Sequence, residues 1–158
     1  MTFSTSKATR AVRASIESDT QHGAVVPPLH LSSNYSFAGL GEPRQYDYTR
    51  SGNPTRDALG DALAELEGGA GAVITASGMG ALTVLTQFLS PGDTIIAPHD
   101  CYGGTYRLFE QQSKKGLFNV EFVNQTEIDT LRSVCDDVRP KIILTESPAL
   151  RGSLQSGL

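Results

Sequence analysis

An α/β fold is predicted: an extended N-terminal arm followed by the first half of a mostly parallel, helix-flanked sheet. Three observations predict it. Short strand-like runs of four or five residues recur at 72–76, 94–98, 120–123 and 141–145. Segments with apolar residues at helical spacing lie between them, which is the pattern of βαβ units. The first fifty or so residues follow neither period and are rich in Pro, Gly, Ser, Asn and Tyr.

Taken in order, residues 7–16 read as a short helix. Gly23-Ala-Val-Val-Pro-Pro-Leu-His-Leu31 reads as extended, because a proline disfavours helix in the residue before it. Residues 32–48 bury little by themselves, so this arm is expected to lie against another surface, of its own domain or of a second subunit. Asn53 is a good N-cap and Pro54 suits the first helical position. Leu59, Leu63 and Leu66 then form an apolar stripe, and Gly68-Gly69 stops the helix. Residues 72–76, β-branched and bounded by glycines, read as a first buried strand. Ser77-Gly-Met-Gly80 turns the chain into a helix whose Leu82, Leu85 and Leu89 share a face.

Ser90-Pro-Gly-Asp93 is a turn before the strand at 94–98, and residues 102–115 form the next helix. After the strand at 120–123, Thr126 with Asp129 makes a capping-box-like start. That helix presents Ile128, Leu131 and Cys135 inward, and the strand at 141–145 follows. The expected organisation is an arm over 1–52, a partial α/β domain over 53–148, and a disordered tail of small polar residues over 149–158. A parallel sheet ended there lacks the cover such sheets have on both faces. A small domain and the first part of a larger protein both fit.

Composition narrows the class. A length of 158 residues suffices for one domain with a core. A net charge of -4 and the lack of a basic run argue against nucleic acid. Two cysteines, Cys101 and Cys135, suit a reducing compartment better than a disulfide framework. No apolar run approaches a membrane span, and the start Met1-Thr-Phe-Ser-Thr-Ser-Lys7 has no apolar signal core. A cytoplasmic protein without membrane contacts is expected. His22, His30 and His99 lack ligand spacing, so no metal site is expected.

In an open parallel sheet, ligands bind beyond the carboxyl ends of the strands. After residues 72–76 come Ser77, Gly78 and Met79, at a helix start where unpaired amides and the helix dipole favour an anion. After 94–98 come His99, Asp100, Cys101 and Tyr102, then Gly103-Gly104-Thr105; after 141–145 come Glu146, Ser147 and Pro148. A flat, phosphorylated, heteroaromatic ligand uses all of these: amides for phosphate, Tyr102 for stacking, Glu146 for polar contacts around the ring. Each residue has a plainer reading too. Tyr48 and Tyr102 are ordinary half-buried aromatics, Arg50 a solvated charge, and Glu146 a capping group. Cys101 reads as a packed, inert thiol, with a thiol activated by the following helix start as the alternative. A Gly-x-Gly-x-x-Gly dinucleotide pattern is absent, since Gly78 and Gly80 are followed by Leu82-Thr83.

Tyr48-Thr-Arg50-Ser-Gly-Asn-Pro-Thr-Arg56 resembles the Tyr-Ser-Arg-x-Gly-Asn-Pro-Thr signature of the Cys/Met-metabolism family of pyridoxal 5'-phosphate (PLP) enzymes. Ser77-Gly-Met79, Tyr102-Gly-Gly-Thr105 and Glu146-Ser-Pro148 resemble further motifs of that family in the same order. Glu42-Pro-Arg44, Leu63-Ala-Glu-Leu-Glu-Gly-Gly-Ala-Gly71 and Ala97-Pro-His-Asp-Cys-Tyr-Gly-Gly104 look most like its bacterial cystathionine γ-synthase branch. The similarity runs from about Lys7 to Pro148.

The resemblance implies a fold type I PLP-enzyme large domain and γ-replacement on an activated homoserine ester by cysteine. Sulfhydrylases and γ-lyases are the alternatives. Ser77, Gly78 and Met79 are then cofactor-phosphate residues. Tyr102 stacks on the pyridine ring and moves protons at the substrate amine, and Glu146 lies near that ring. Tyr48 and Arg50 reach the phosphate of a neighbouring subunit, which implies a homo-oligomer, a homotetramer in the family. Partners are small amino-acid substrates.

The family also holds PLP through a lysine in a Ser-x-Thr-Lys setting, and Lys7, Lys114, Lys115 and Lys141 all lack it. From Ala149 onward the chain departs from the family's Glu-Ser-Asn-Pro continuation. The expectation is the first part of such an enzyme, inactive alone. A non-catalytic fragment that binds a phosphorylated ligand or pairs with a complete subunit is the other reading.

Overall fold

The computed structural model describes residues 6–16 and 18–147. They fall into two compact units divided between Ile74 and Thr75. The tail expected over 149–158, and Pro148 of the third motif, lie outside the described residues.

The second unit is built on β1 (Thr94–Pro98), which pairs in parallel with β2 (Asn119–Val123) on one side and β3 (Ile142–Ile143) on the other. Ile95 stands opposite both Val120 and Ile142. A central parallel strand is covered on both faces, and β1 accordingly leaves Ile95, Ile96 and Ala97 with 0% exposure. The connection from β1 to β2 carries α4 (Gly103–Lys114), and the one from β2 to β3 carries α5 (Ile128–Val138). Phe109 of α4 meets Phe118 edge-on, with ring centroids 6.1 Å apart, over Ile95 and Ala97. The preceding helix, α3 (Gly78–Thr86), adds Leu82 and Leu85 to this core, and Leu89 follows just beyond its end. Each such apolar side chain contributes roughly 1.5–3 kcal/mol on full burial. At the amino ends of the strands, Lys141 Nζ donates to Asp93 Oδ2 at 2.7 Å, and Asn119 N donates to the Asp93 carbonyl.

The first unit is organised by α2 (Pro54–Glu67). Asn53 caps it as expected, its Oδ1 accepting from the amides of Thr55 and Arg56, and Gly68 closes it in the left-handed region at φ 69°. The same asparagine is buried, and its Nδ2 faces the His30 carbonyl, the Tyr35 hydroxyl and the Thr49 hydroxyl. One side chain thus caps a helix and ties it to a loop more than twenty residues upstream. The short α1 (Lys7–Arg13), capped by Ser6, packs on α2 with an Arg10–Glu65 ion pair at 3.8 Å.

Several expectations are corrected. Residues 72–76 are extended but pair with no strand, and Val73 is 72% exposed. A strand is defined by its ladder, and both neighbours of β1 are already taken by β2 and β3. On α2 the buried positions are Gly60 and Ala64, whereas Leu59 and Leu63 are exposed. The small residues face inward because the backbone of Ala72 comes close: a Cβ at Gly60 would lie 3.5 Å from its carbonyl oxygen. The N-cap of α5 is Glu127 without a side-chain cap bond, while Thr126 bonds to Asn124 instead. Ile128 is exposed, with Leu131 and Cys135 only half-buried. α1 stops at Arg13, with Ser15 at φ 57°, and β3 is confined to two residues. The helix after Ser77 begins three residues earlier than its leucine pattern indicates. The division at 74/75 also differs from an arm ending at 52, because Asn53 and Arg56 bind α2 to the preceding loop.

Two outcomes are expected. Asn53→Ala costs about 2 kcal/mol in urea unfolding, from the lost cap and from stranded loop acceptors; an unchanged midpoint contradicts this role. Asp93 is held below the ordinary carboxylate range, chiefly by its hydrogen bond from Lys141 and then by the Ser90 amide. A depressed carboxylate adds stability above its unfolded pKa, about 4, and loses it as pH falls through the lower folded value. Asp93→Asn therefore flattens the acid limb of a stability–pH profile, and an acid limb of wild-type steepness contradicts this.

Candidate functional site

Five of the sequence-predicted site residues belong to the second unit. Ser77 is the N-cap of α3, and its Oγ accepts from Gly80 N at 3.1 Å. Its hydroxyl hydrogen stays available to donate. The cap consumes the third amide of the turn, while those of Gly78 and Met79 have no carbonyl four residues back within the helix. A Cβ at Gly78 would meet nothing within 4 Å, so the approach to these amides is open. The local sequence explains the geometry. Thr75 Oγ1 donates to the Ser77 carbonyl at 2.8 Å, and Ser77 itself is extended, at φ -160°.

Tyr102 starts α4 on the same edge of the unit and is 49% exposed. Its ring lies over Gly104 and close to Met79. A Cβ built at Gly104 would stand 2.5 Å from Tyr102 Cε1 and 2.9 Å from Met79 Sδ. Only glycine leaves room for both, so the first turns of α3 and α4 meet at this point. Glu146, just after β3, turns both carboxylate oxygens to α4: Oε2 accepts from Tyr102 N at 2.9 Å and Oε1 from Thr105 Oγ1 at 3.1 Å. Of its two sequence readings, the capping one describes these contacts. Thr105 and Gly104 are the residues the sequence reading left out of the site. The Tyr102-Gly-Gly-Thr105 string carried them, but neither type announces its role without the fold.

Cys101 is fully buried and forms part of this packing. Burial first, and then the nearby Glu146 carboxylate, push its thiol up to about 11. That matches the packed, inert reading and removes a thiolate from the candidate chemistry. His99 points outward with only a loose 3.8 Å approach to Asp100.

Tyr48 and Arg50 belong to the first unit, on a loop pinned from below. Arg56 Nη1 donates to the Thr49 carbonyl at 2.9 Å, and Thr49 N donates to Ser33 O at the same distance. Tyr48 and Arg50 remain exposed, with the guanidinium 5.1 Å from the Tyr48 ring centroid. This cation–π contact orders the arginine while leaving its donors outward. Asn53, Thr55 and Arg56 are the supports that make the signature a structure and not only a string.

The lysines stand elsewhere. In the second unit, Lys114 ends α4, about 18 Å along the helix from Tyr102, and pairs with Glu110 at 3.0 Å. Lys115 follows it. Lys141 is engaged with Asp93 at the opposite end of the strands. Lys7 opens α1 in the first unit.

Comparison with known proteins gives this arrangement its relatives. The chain is 56% identical over 144 residues to cystathionine gamma-synthase of Escherichia coli (strain K12), which is 90% of the chain and 37% of that protein. It is 37% identical over 145 residues to a cystathionine beta-lyase of Lactococcus lactis subsp. cremoris (strain MG1363), covering 92% of the chain and 38% of the relative. Among solved structures, cystathionine gamma synthase from Xanthomonas oryzae pv. oryzae in complex with aminoacrylate and cysteine superposes with a TM-score of 0.89. The two are 54% identical, over 94% of this chain and 38% of that one. The chain therefore spans well under half the length of these relatives. The profile of the Cys/Met metabolism PLP-dependent enzymes matches residues 8–151, so the chain belongs to that family.

Proposed function

We propose that these residues form the phosphate cradle and ring face of a PLP site in a cystathionine γ-synthase, which joins an O-acylhomoserine to cysteine by γ-replacement. The supporting observation is the meeting of the first turns of α3 and α4 at Gly104, in a chain 56% identical to a cystathionine gamma-synthase. The related lyase fits the same cradle, so this part of the chain carries the family's shared chemistry more than its substrate choice.

The residues present fit a flat phosphorylated ring. The open approach at Gly78 admits a phosphate to the amides of Gly78 and Met79, with the Ser77 hydroxyl as a further donor. The half-exposed Tyr102 ring offers a stacking face, and its hydroxyl holds or moves a proton at the substrate amine. Tyr48 and Arg50, ordered but outward, suit the phosphate of a neighbouring subunit in a homo-oligomer. PLP, when bound, supplies the electron sink for bond changes in the amino-acid substrate.

An amine near Tyr102 is the missing part: Lys114, Lys115 and Lys141 lie at the far ends of their elements. We propose accordingly that the 158-residue chain binds PLP without catalysing γ-replacement. Incubation of the purified chain with PLP, O-succinylhomoserine and cysteine is expected to yield no cystathionine; formation above the protein-free rate overturns the proposal. In equilibrium dialysis, Tyr102→Ala is expected to weaken PLP about three- to tenfold, the range for one stacked ring, and to leave inorganic phosphate affinity unchanged. Equal loss for both ligands, or for neither, contradicts the assignment of ring and amides to separate parts of the ligand.

A further inference from the structure

We infer that Thr105 and Glu146 are positioning residues, which lock the first turn of α4 and so determine where the Tyr102 ring stands without meeting the ligand themselves. The inference rests on the reading of Tyr102 as the stacking face. It adds how that face is held, by two residues to which the sequence gave no such task.

The geometry is specific. Tyr102 occupies the N-cap position of α4, yet tyrosine has no short side-chain oxygen to cap with, and it makes no side-chain cap bond. A carboxylate from 44 residues further along the chain takes over that role. Glu146 Oε2 accepts the Tyr102 amide at 2.9 Å, and Oε1 accepts the Thr105 hydroxyl, three residues into the turn, at 3.1 Å. The negative charge also meets the positive end of the helix dipole. Thr105 is fully buried, so this hydroxyl donates to an anion away from water, and such charge-assisted bonds are stronger than neutral ones.

The grip passes directly to the ring. With Tyr102 Cε1 only 2.5 Å from where a Gly104 Cβ would stand, the ring rests on the backbone of the turn that Glu146 holds. Rotation or fraying of that turn therefore carries the ring with it. The thiol of Cys101, next to Tyr102 and raised in part by the same carboxylate, is a second sign that Glu146 faces this turn.

The test uses the full 158-residue chain with Thr105→Val, Thr105→Ser and Glu146→Gln. Three quantities are measured: exchange of the Tyr102 amide, dialysis constants for PLP and for inorganic phosphate, and the visible circular dichroism of added PLP. Thr105→Val and Glu146→Gln are expected to speed Tyr102 amide exchange at least about tenfold, as for loss of a charge-assisted bond. They are also expected to weaken PLP about three- to tenfold, to diminish its dichroism, and to leave phosphate affinity unchanged. Thr105→Ser, which keeps the hydroxyl, is expected to behave as wild type.

Unchanged amide exchange in both Thr105→Val and Glu146→Gln overturns the proposal, as does faster exchange with PLP affinity and dichroism unaltered. Loss of PLP in Glu146→Gln alone, with Thr105→Val as wild type, means that the carboxylate touches the ligand itself and equally overturns it. Should Thr105→Val fail to fold, Glu146→Gln decides by the same readouts, with Thr105→Ser as the folded control. A wild-type chain that binds no PLP refutes the cofactor reading instead, and the amide exchange then judges the clamp by itself.

Discussion

Parallel pairing on both sides of Thr94–Pro98 dictates much of the second unit. Strands that all run one way place every carboxyl end on a single edge, and each connection must return over a face as a helix. α4 begins where β1 has just ended, and Glu146 leaves β3 on that same edge. With Ile95, Ile96 and Ala97 wholly enclosed, β1 cannot shift register without exposing apolar surface. The core thus fixes the site indirectly: it aligns the ends of the strands, and those ends deliver amides, an aromatic ring and a carboxylate to one place.

The first unit solves a different problem with polar groups. Its loop from His30 to Thr49 has little apolar surface to bury, and Leu31 and Leu40 are almost fully exposed. Order comes instead from Asn53, which reads both the start of α2 and the loop above it, and from Arg56, which holds the carbonyls of Thr49 and Arg50. A buried amide that uses its oxygen on a helix and its nitrogen on a loop couples the two, so neither moves alone. Tyr48 and Arg50 are thereby presented on a rigid support despite their exposure.

Much of the fold was legible in the sequence where period and punctuation agreed. Thr94–Pro98, bounded by a Pro-Gly-Asp turn and a polar run, and the Asn53-Pro54 start with its Gly68 stop, stand as read. Reading failed where a pattern needed a partner to decide it. Residues 72–76 have strand composition, but pairing is a property of two segments, and no run of side chains declares whether its neighbour is present. The leucines of α2 have helical spacing, yet Gly60 and Ala64 face inward because backbone approaches them. For the site, Ser77, Gly78 and Met79 were recoverable from a strand–turn–helix rhythm, and Tyr102 from its place after a strand. Glu146 was recoverable only as a residue of two meanings, since its hydrogen bonds span a sequence distance that no local pattern covers. Thr105 and Gly104 act through burial and through the space of a missing methyl, neither of which a one-dimensional pattern records.

The distance between Tyr102 and its carboxylate has a consequence for how the molecule is made. β1, α4 and β2 are complete once Val123 has been added, whereas the residue that holds the tyrosine is 23 positions later. At about 5–20 residues per second, a ribosome supplies it roughly one to five seconds after the β1–β2 pair. Closing so long a loop also carries an entropy cost that nearer contacts do not bear. The phosphate-binding turn is thus assembled early and the aromatic platform late, so a nascent chain stalled before β3 carries an anion site with no fixed ring beside it.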